Sequence, residues 1–348
     1  MSQLVSGSVS EPASLSVPGT VSPHARRGWS GRRLGLTLAA AALLIALPWL
    51  TPGWTELLVI VQIFLLVVLG LDVLTGQAGQ VSLGQTLFMA IGGYGAGLLT
   101  VRAGWPTWLA AVAPAVLAAV VAAVLGRAFL RLRGYYLALA TLGLAVLAQA
   151  AATGWTPVTG GPSGLVGVPS LQFGSWVVFS DASNYLVLLV LCTLGAVFTT
   201  NLRNSQTGRA LAAVAHDPHA AAMLGIDAAR YRTGAFVTSA VFASLAGSLY
   251  VYYLRFISPE VISVTVALSI VVMLSLGGVR SVVGPILGVL LLQGLPFVGQ
   301  SFALWQPLVA GIVLIVVLTY LPEGLWGGVR TLVRRLVPRS DTARGRTP

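Results

Sequence analysis

Polar side chains with chemical capability fall in three places. His216, Asp217 and His219 lie within four positions, a spacing compatible with metal ligation, but no further ligand stands nearby. A capped helix start accounts for the cluster better, because Asp217 precedes Pro218, which suits the first helical position. The second place is Thr75 to Gln85, where Gly76, Gly79 and Gly84 alternate with Gln77, Gln80, Ser82 and Gln85 inside an otherwise apolar stretch. The third is Asp72, an acid within an apolar run. Burying a carboxylate mid-membrane costs roughly 2.5–3.5 kcal/mol on insertion scales, and its position near the end of the run favours a structural or interfacial role. All 20 basic residues are Arg, so neither a P-loop lysine nor a lysine Schiff base exists here, and nucleotide energy must come from another chain. Cys192 is the only cysteine, which excludes an intrachain disulfide and a cysteine metal cluster.

The elements that hold these residues are apolar. Of 348 residues, 56% are hydrophobic and 8% charged, with a mean hydropathy of +0.89, which excludes a water-soluble enzyme. A membrane helix needs roughly 20 apolar residues. Runs bounded by Gly, Pro or Arg place spans near 34–51, 57–75, 85–101, 107–126, 134–152, 184–200, 234–254, 262–279, 282–298 and 304–320. The fold class is therefore an all-α polytopic membrane protein with about ten helices. With the N-terminus inside, only Arg102 and Arg255 fall outside and the other eighteen arginines fall inside, so both termini are expected in the cytoplasm. The same placement explains the net charge of +11 without nucleic acid. Arg32-Arg33 before the first run resembles an export signal, but a first membrane anchor suits a chain with many later spans.

Around this membrane-spanning region, 34–325, a Ser/Pro/Gly-rich tail at 1–33 reads as disordered and a basic tail at 326–348 as cytoplasmic. Two connections are long: an extracytoplasmic loop at 153–183 with the turn-forming run Thr159 to Gly164, and a polar cytoplasmic loop at 201–233. Within the latter, His219-Ala220-Ala221-Ala222-Met223-Leu224 favours helix and Gly225 fits a left-handed stop. A helix of two turns is marginal alone, and its small Ala-rich surface suits docking into a groove of a partner protein.

The break at 75–85 admits two readings. Irregular backbone at membrane depth builds substrate sites in transporters, which makes Thr75, Gly76, Gln77, Gly79, Gln80, Ser82, Gly84 and Gln85 a gate or pathway; the alternative is a simple cytoplasmic connector. Gly93 and Gly97 permit close helix packing, and Gly277-Gly278 with Gly284-Pro285 breaks the chain similarly in the other half.

Several blocks carry a family resemblance. His219-Ala220-Ala221 with Gly225 resembles the Glu-Ala-Ala-x-x-x-Gly loop of bacterial ABC importer permeases, with His219 where the family usually has Glu. GLDVLTGQAGQVSLGQTLFMAIGGYGAG from Gly70, RLRGYYLALATLGLA from Arg131, TGGPSGLVGVP from Thr159, and FISPEVISV through LSLGGVRSVVGPILG between Phe256 and Gly288 are similar to the M-type permease of branched-chain amino acid importers. The resemblance covers roughly residues 35–325. It implies a multi-pass protein of the bacterial inner membrane that performs alternating access and no chemistry of its own. Arg209, Asp217, Pro218, His219, Ala220, Ala221, Leu224 and Gly225 would couple it to a cytoplasmic ATPase. It also implies two ATPase subunits holding ATP and Mg, a paralogous second permease, an extracytoplasmic solute-binding protein and an amino-acid substrate, with no cofactor in this chain. Urea or short amides are the alternative substrates, and a stand-alone secondary transporter or channel is the rival class.

Overall fold

An 18-residue helix with no polar face has to be surrounded, and α1 (Thr55–Asp72) is: it is buried along almost its whole length at the centre of the molecule. The computed structural model describes residues 46–50, 52–129, 134–174, 176–298, 308, 311–312, 315, 319 and 324–328. The chain divides into a unit ending at Ala46 and a second from Leu47 onward, and all elements described below belong to the second. The expected tail at 1–33, most of the first span at 34–51, most of the tenth at 304–320 and most of the tail at 326–348 lie outside the described residues.

After α1 come α2 (Gln85–Val101), α3 (Thr107–Phe129), α4 (Tyr135–Gly154), α5 (Asp181–Asn204), α6 (Gln206–His216), α7 (Pro218–Met223), α8 (Ala228–Leu254), α9 (Val264–Gly277) and α10 (Val283–Val298); α5, α8, α9 and α10 pack on α1, and α2 and α3 pack on α8. Among the described residues, five helices are long and apolar enough to cross a membrane, the first being α1 with the turn that follows it. The shorter α2, α9 and α10 are also apolar.

The tightest pairing is α2 on α8, made by small residues. A Cβ on Gly92 would meet the backbone of Ser244, and one on Gly247 the backbone of Met89, so only hydrogen fits at either place. Ser248 Oγ donates to the Gly92 carbonyl at 3.1 Å, and Tyr252 lies 2.6 Å from Thr100 Oγ1. The close approach therefore falls on Gly92 and Gly93, one position from the expected Gly93–Gly97 pair; Gly97 instead faces Leu165. On the periphery, α3 presents Val112, Val116, Val120 and Val124 outward at four-residue spacing, an unbroken apolar stripe suited to lipid.

Two corrections concern the long connections. The segment at 201–233 is nearly all helix: α5 runs on to Asn204, Ser205 caps α6 by accepting from the Gly208 N–H at 3.2 Å, and Asp227 caps α8 by accepting from Ala229 and Arg230. Its polarity reflects one exposed helix face, because Leu211 and Val214 of α6 turn inward. The segment at 153–183 carries the two-residue strands β1 (Leu165–Val166), β2 (Gln172–Phe173) and β3 (Trp176–Val177), and the fold remains all-α in class. β1 pairs antiparallel with β4 (Phe256–Ile257), Leu165 opposite Ile257, and β2 pairs with β3, Phe173 opposite Trp176.

These contacts define two ends. At one, Arg102 donates to the Pro157 carbonyl at 2.5 Å, Arg255 stacks 4.2 Å over the Phe179 ring, and Trp105, Trp108, Trp155 and Trp176 lie exposed beside the helix ends. Exposed tryptophans at helix ends form the amphipathic belt of a membrane interface. The other end carries Arg203, Arg209, Arg230, Arg232 and Arg280.

Candidate functional site

The site is built where α1 stops being an α-helix. Val73–Gln77 forms a π-helical turn, and the chain then runs without regular secondary structure from Gly79 to Gly84 before α2 begins. Gly76 is required because a Cβ there would collide with the Asp72 carboxylate. Asp72 Oδ1 accepts the backbone N–H of Arg280 at 2.8 Å, Arg280 Nε donates to the Gly76 carbonyl at 2.6 Å, and Arg203 donates to the Arg280 carbonyl. Asp72 thus serves as an anchor that ties the turn to the α9–α10 connection and the end of α5. Arg280 holds a left-handed backbone at φ 61° to do this.

Beyond the turn, backbone groups find partners one by one. Gln80 N–H donates to the Leu74 carbonyl at 3.1 Å, Thr75 Oγ1 to the Gln80 carbonyl at 3.1 Å, and Leu83 N–H to Thr141 Oγ1 of α4 at 3.0 Å. Ser82 Oγ accepts from the Gly84 N–H at 3.3 Å. The side chains differ. Gln77, Gln80, Ser82 and Gln85 are buried, and among the described residues the Oε1 atoms of Gln77, Gln80 and Gln85, with the Gln85 Nε2, have no hydrogen-bond partner. Thr86 and Tyr94 of α2 and Ser239 and Ser244 of α8 add further buried hydroxyls in the same condition. An unsatisfied buried polar group costs about 1–3 kcal/mol, so this is an expensive way to make a connector. What the arrangement offers is a set of amide and hydroxyl groups able to exchange hydrogen bonds with a small polar solute.

The second feature is α7. Asp217 Oδ1 accepts the N–H groups of His219 at 2.8 Å and Ala220 at 3.2 Å, and these bonds, Ala220 first, hold its carboxyl below the ordinary carboxylate value. At the far end Gly225 takes φ 78°; its N–H donates to the Ala222 carbonyl and that of Ile226 to the Ala221 carbonyl, the paired bonds of a Schellman stop. The exposed surface differs from the expected alanine face. Ala221 is 2% exposed, whereas Met223 and Leu224 are 90% and 78% exposed. Ala221 therefore positions the helix, and a substitution there tests packing before it tests docking. His219, Ala220 and Ala222 complete the exposed face; Arg209, one helix earlier, is exposed and donates to the Asn204 carbonyl at 3.2 Å.

The two features touch. Gly79, at φ 67°, lies against Ala215 of α6, two residues before Asp217; a Cβ on Gly79 would stand 3.0 Å from the Ala215 Cβ. Arg232 of α8 donates to the Val214 carbonyl at 3.4 Å, bracing the same turn of α6. Sequence patterning missed Arg280, Arg203, Thr141 and the serines of α8 as parts of this site. Arg280 is 208 residues from Asp72, a distance at which no local signal operates.

Comparison with known proteins bears on this geometry. A family model described as "Branched-chain amino acid transport system / permease component" matches residues 54–318. The chain is similar to the high-affinity branched-chain amino acid transport system permease protein LivM of Escherichia coli, 31% identical over 311 residues covering 82% of this chain and 73% of that protein. The LivM of Salmonella typhimurium is similar to the same extent. LivH of Salmonella typhimurium, another permease protein of such a system, is 28% identical over 172 residues, 47% of this chain and 56% of its own. No solved structure matches the chain.

Proposed function

The chain belongs to the branched-chain amino acid transport permease family, and on that premise we propose that it is the membrane-spanning subunit of a binding-protein-dependent importer whose work is done by alternating access. It is a transport component and not itself an enzyme. In this reading the arginine end faces the cytoplasm and the tryptophan end the outside, which the charge asymmetry between them supports. Two ATPase subunits carrying ATP and Mg act on α7, a paralogous permease completes the pathway, and a binding protein delivers a branched-chain amino acid from outside. The setting is the bacterial inner membrane.

The observation that carries this reading is the contact of Gly79 with Ala215. A push on Met223 and Leu224 moves α7; α7 is joined through the extended Asp217 to α6, and α6 bears on the break at Thr75 to Gln85. Packed elements shift as units, so displacement at the knob reaches the buried amides without any change along α1. Gln77, Gln80, Ser82 and Gln85 are then the groups that a passing zwitterion meets.

The test replaces both Met223 and Leu224 by Asp. Copurification with the ATPase and uptake of leucine should fall at least tenfold, while the chain inserts and elutes as the parent does. Normal uptake by that variant overturns the coupling role. Purified chain that moves leucine alone in vesicles overturns the importer reading in favour of a stand-alone carrier, and urea competing with leucine at equal concentration moves the substrate to short amides.

A further inference from the structure

A cavity of about 480 Å³ opens at the arginine end between α5, α6 and the start of α8, within the about 300–1,000 Å³ typical of small-molecule sites. Its chemistry is divided. Leu202, Leu211 and Ala235 give it an aliphatic floor, and Asp227 and Arg230 give it one charge of each sign. The two charges sit three residues apart at the first turn of α8, a separation that brings side chains to the same face, yet no ion pair joins them among the described residues. Asp227 caps the helix through Oδ1 alone, accepting from Ala229 at 3.0 Å and Arg230 at 3.2 Å, which leaves Oδ2 uncommitted. Among the described residues the Arg230 guanidinium has no hydrogen-bond partner. An adjacent carboxylate and guanidinium over an aliphatic floor are complementary to a molecule bearing an ammonium, a carboxylate and a branched hydrocarbon.

We propose that this cavity binds a free aliphatic α-amino acid, its carboxylate on Arg230, its ammonium on Asp227 and its side chain on Leu202, Leu211 and Ala235. The inference rests on the importer reading for its physiological sense, since the cavity lies on the side to which an importer delivers its cargo. Gly225, the stop of α7, forms part of the wall, so an occupant bridges the end of the coupling helix to the first turn of α8. A bound amino acid restrains the element that must move, and accumulated product slows its own entry.

Two measurements test this. Equilibrium binding of labelled L-leucine to the purified full-length chain should weaken at least tenfold in Arg230→Gln and in Asp227→Asn, the latter retaining a side chain able to cap α8. Melting temperatures should match the parent, and isovalerate and isoamylamine, each lacking one pole, should bind at least tenfold more weakly than leucine. Leucine binding unchanged in both variants overturns the proposal, as does displacement of leucine by glycerophosphoethanolamine at equal concentration, which would assign the cavity to a lipid headgroup. In vesicles holding the assembled importer with its ATPases inside, millimolar luminal L-leucine should slow uptake severalfold, and Arg230→Gln should abolish that sensitivity. Brisk uptake indifferent to luminal leucine overturns the product site and leaves the importer reading standing. Absent uptake with every partner present overturns the importer reading, while the binding assay still reports on the cavity.

Discussion

The nine residues from Asp217 to Gly225 and the eleven from Thr75 to Gln85 are comparable in length and opposite in construction. In the first, every feature is local: Asp217 bonds two and three residues ahead, and Gly225 closes the helix over the preceding turn. In the proposed reading such a unit would keep its shape while its exposed Met223 and Leu224 met a partner. In the second, contacts from Arg280, Thr141 and Ala215 shape the chain from outside, and among the described residues the Oε1 atoms of Gln77, Gln80 and Gln85 have no hydrogen-bond partner. On the proposed importer reading, the first would transmit force and the second would yield to it, because a region bearing several unsatisfied polar groups has little to lose by rearranging.

The largest expected break in this comparison is Gly79→Val. A β-branched residue at φ 67° costs on the order of 1–3 kcal/mol before its contact with Ala215 is counted, so uptake should fall at least about 100-fold while copurification with the ATPase persists. Loss of copurification as well would show that the two regions are one folding unit and not a knob and a lever. Next is Gln85→Met. Replacing a buried amide that has no partner among the described residues by an apolar side chain of similar size should stabilise the chain by about 1–3 kcal/mol, read as a rise in Tm, while transport drops. A fall in Tm would mean that the amide is satisfied in the native protein and that the region is not the yielding one.

A smaller effect separates the cap from the charge. Asp217→Ala should speed amide exchange in α7 by about tenfold and Asp217→Asn by much less, because asparagine caps nearly as well. The smallest is a pH response. The Asp217 carboxyl titrates below its unfolded value of 3.8, so its support of α7 is complete above that value and is lost only as pH falls through the depressed one. Amide protection in α7 should therefore stay level from pH 8 to pH 5, a span that lies wholly above 3.8. A change within that span would overturn the role of the Asp217 cap in that response.

Much of the molecule was legible from its sequence, for reasons that differ by element. Apolar runs bounded by Gly, Pro or Arg marked α1 to α5 and α8 to α10 to within several residues, since burial in lipid or protein demands length and apolarity and little else. The α7 cap and stop were readable because their bonds span no more than five residues. The connection at 201–233 misled, since polar residues on one face of α6 look like a loop until Leu211 and Val214 are seen to turn inward.

What the amino-acid order fixed unaided was therefore whatever depends on neighbours in the chain: spans, charge asymmetry, a capped knob and a break rich in glycine and glutamine. Only the folded molecule decided that Ala221 faces in and Met223 out, that Gly79 rests on Ala215, and that Asp72 is held by a residue 208 positions away. Hydrogen bonds and contacts fall off within a few ångströms, so pairings between distant segments are settled by how helices stack and leave no trace in local pattern.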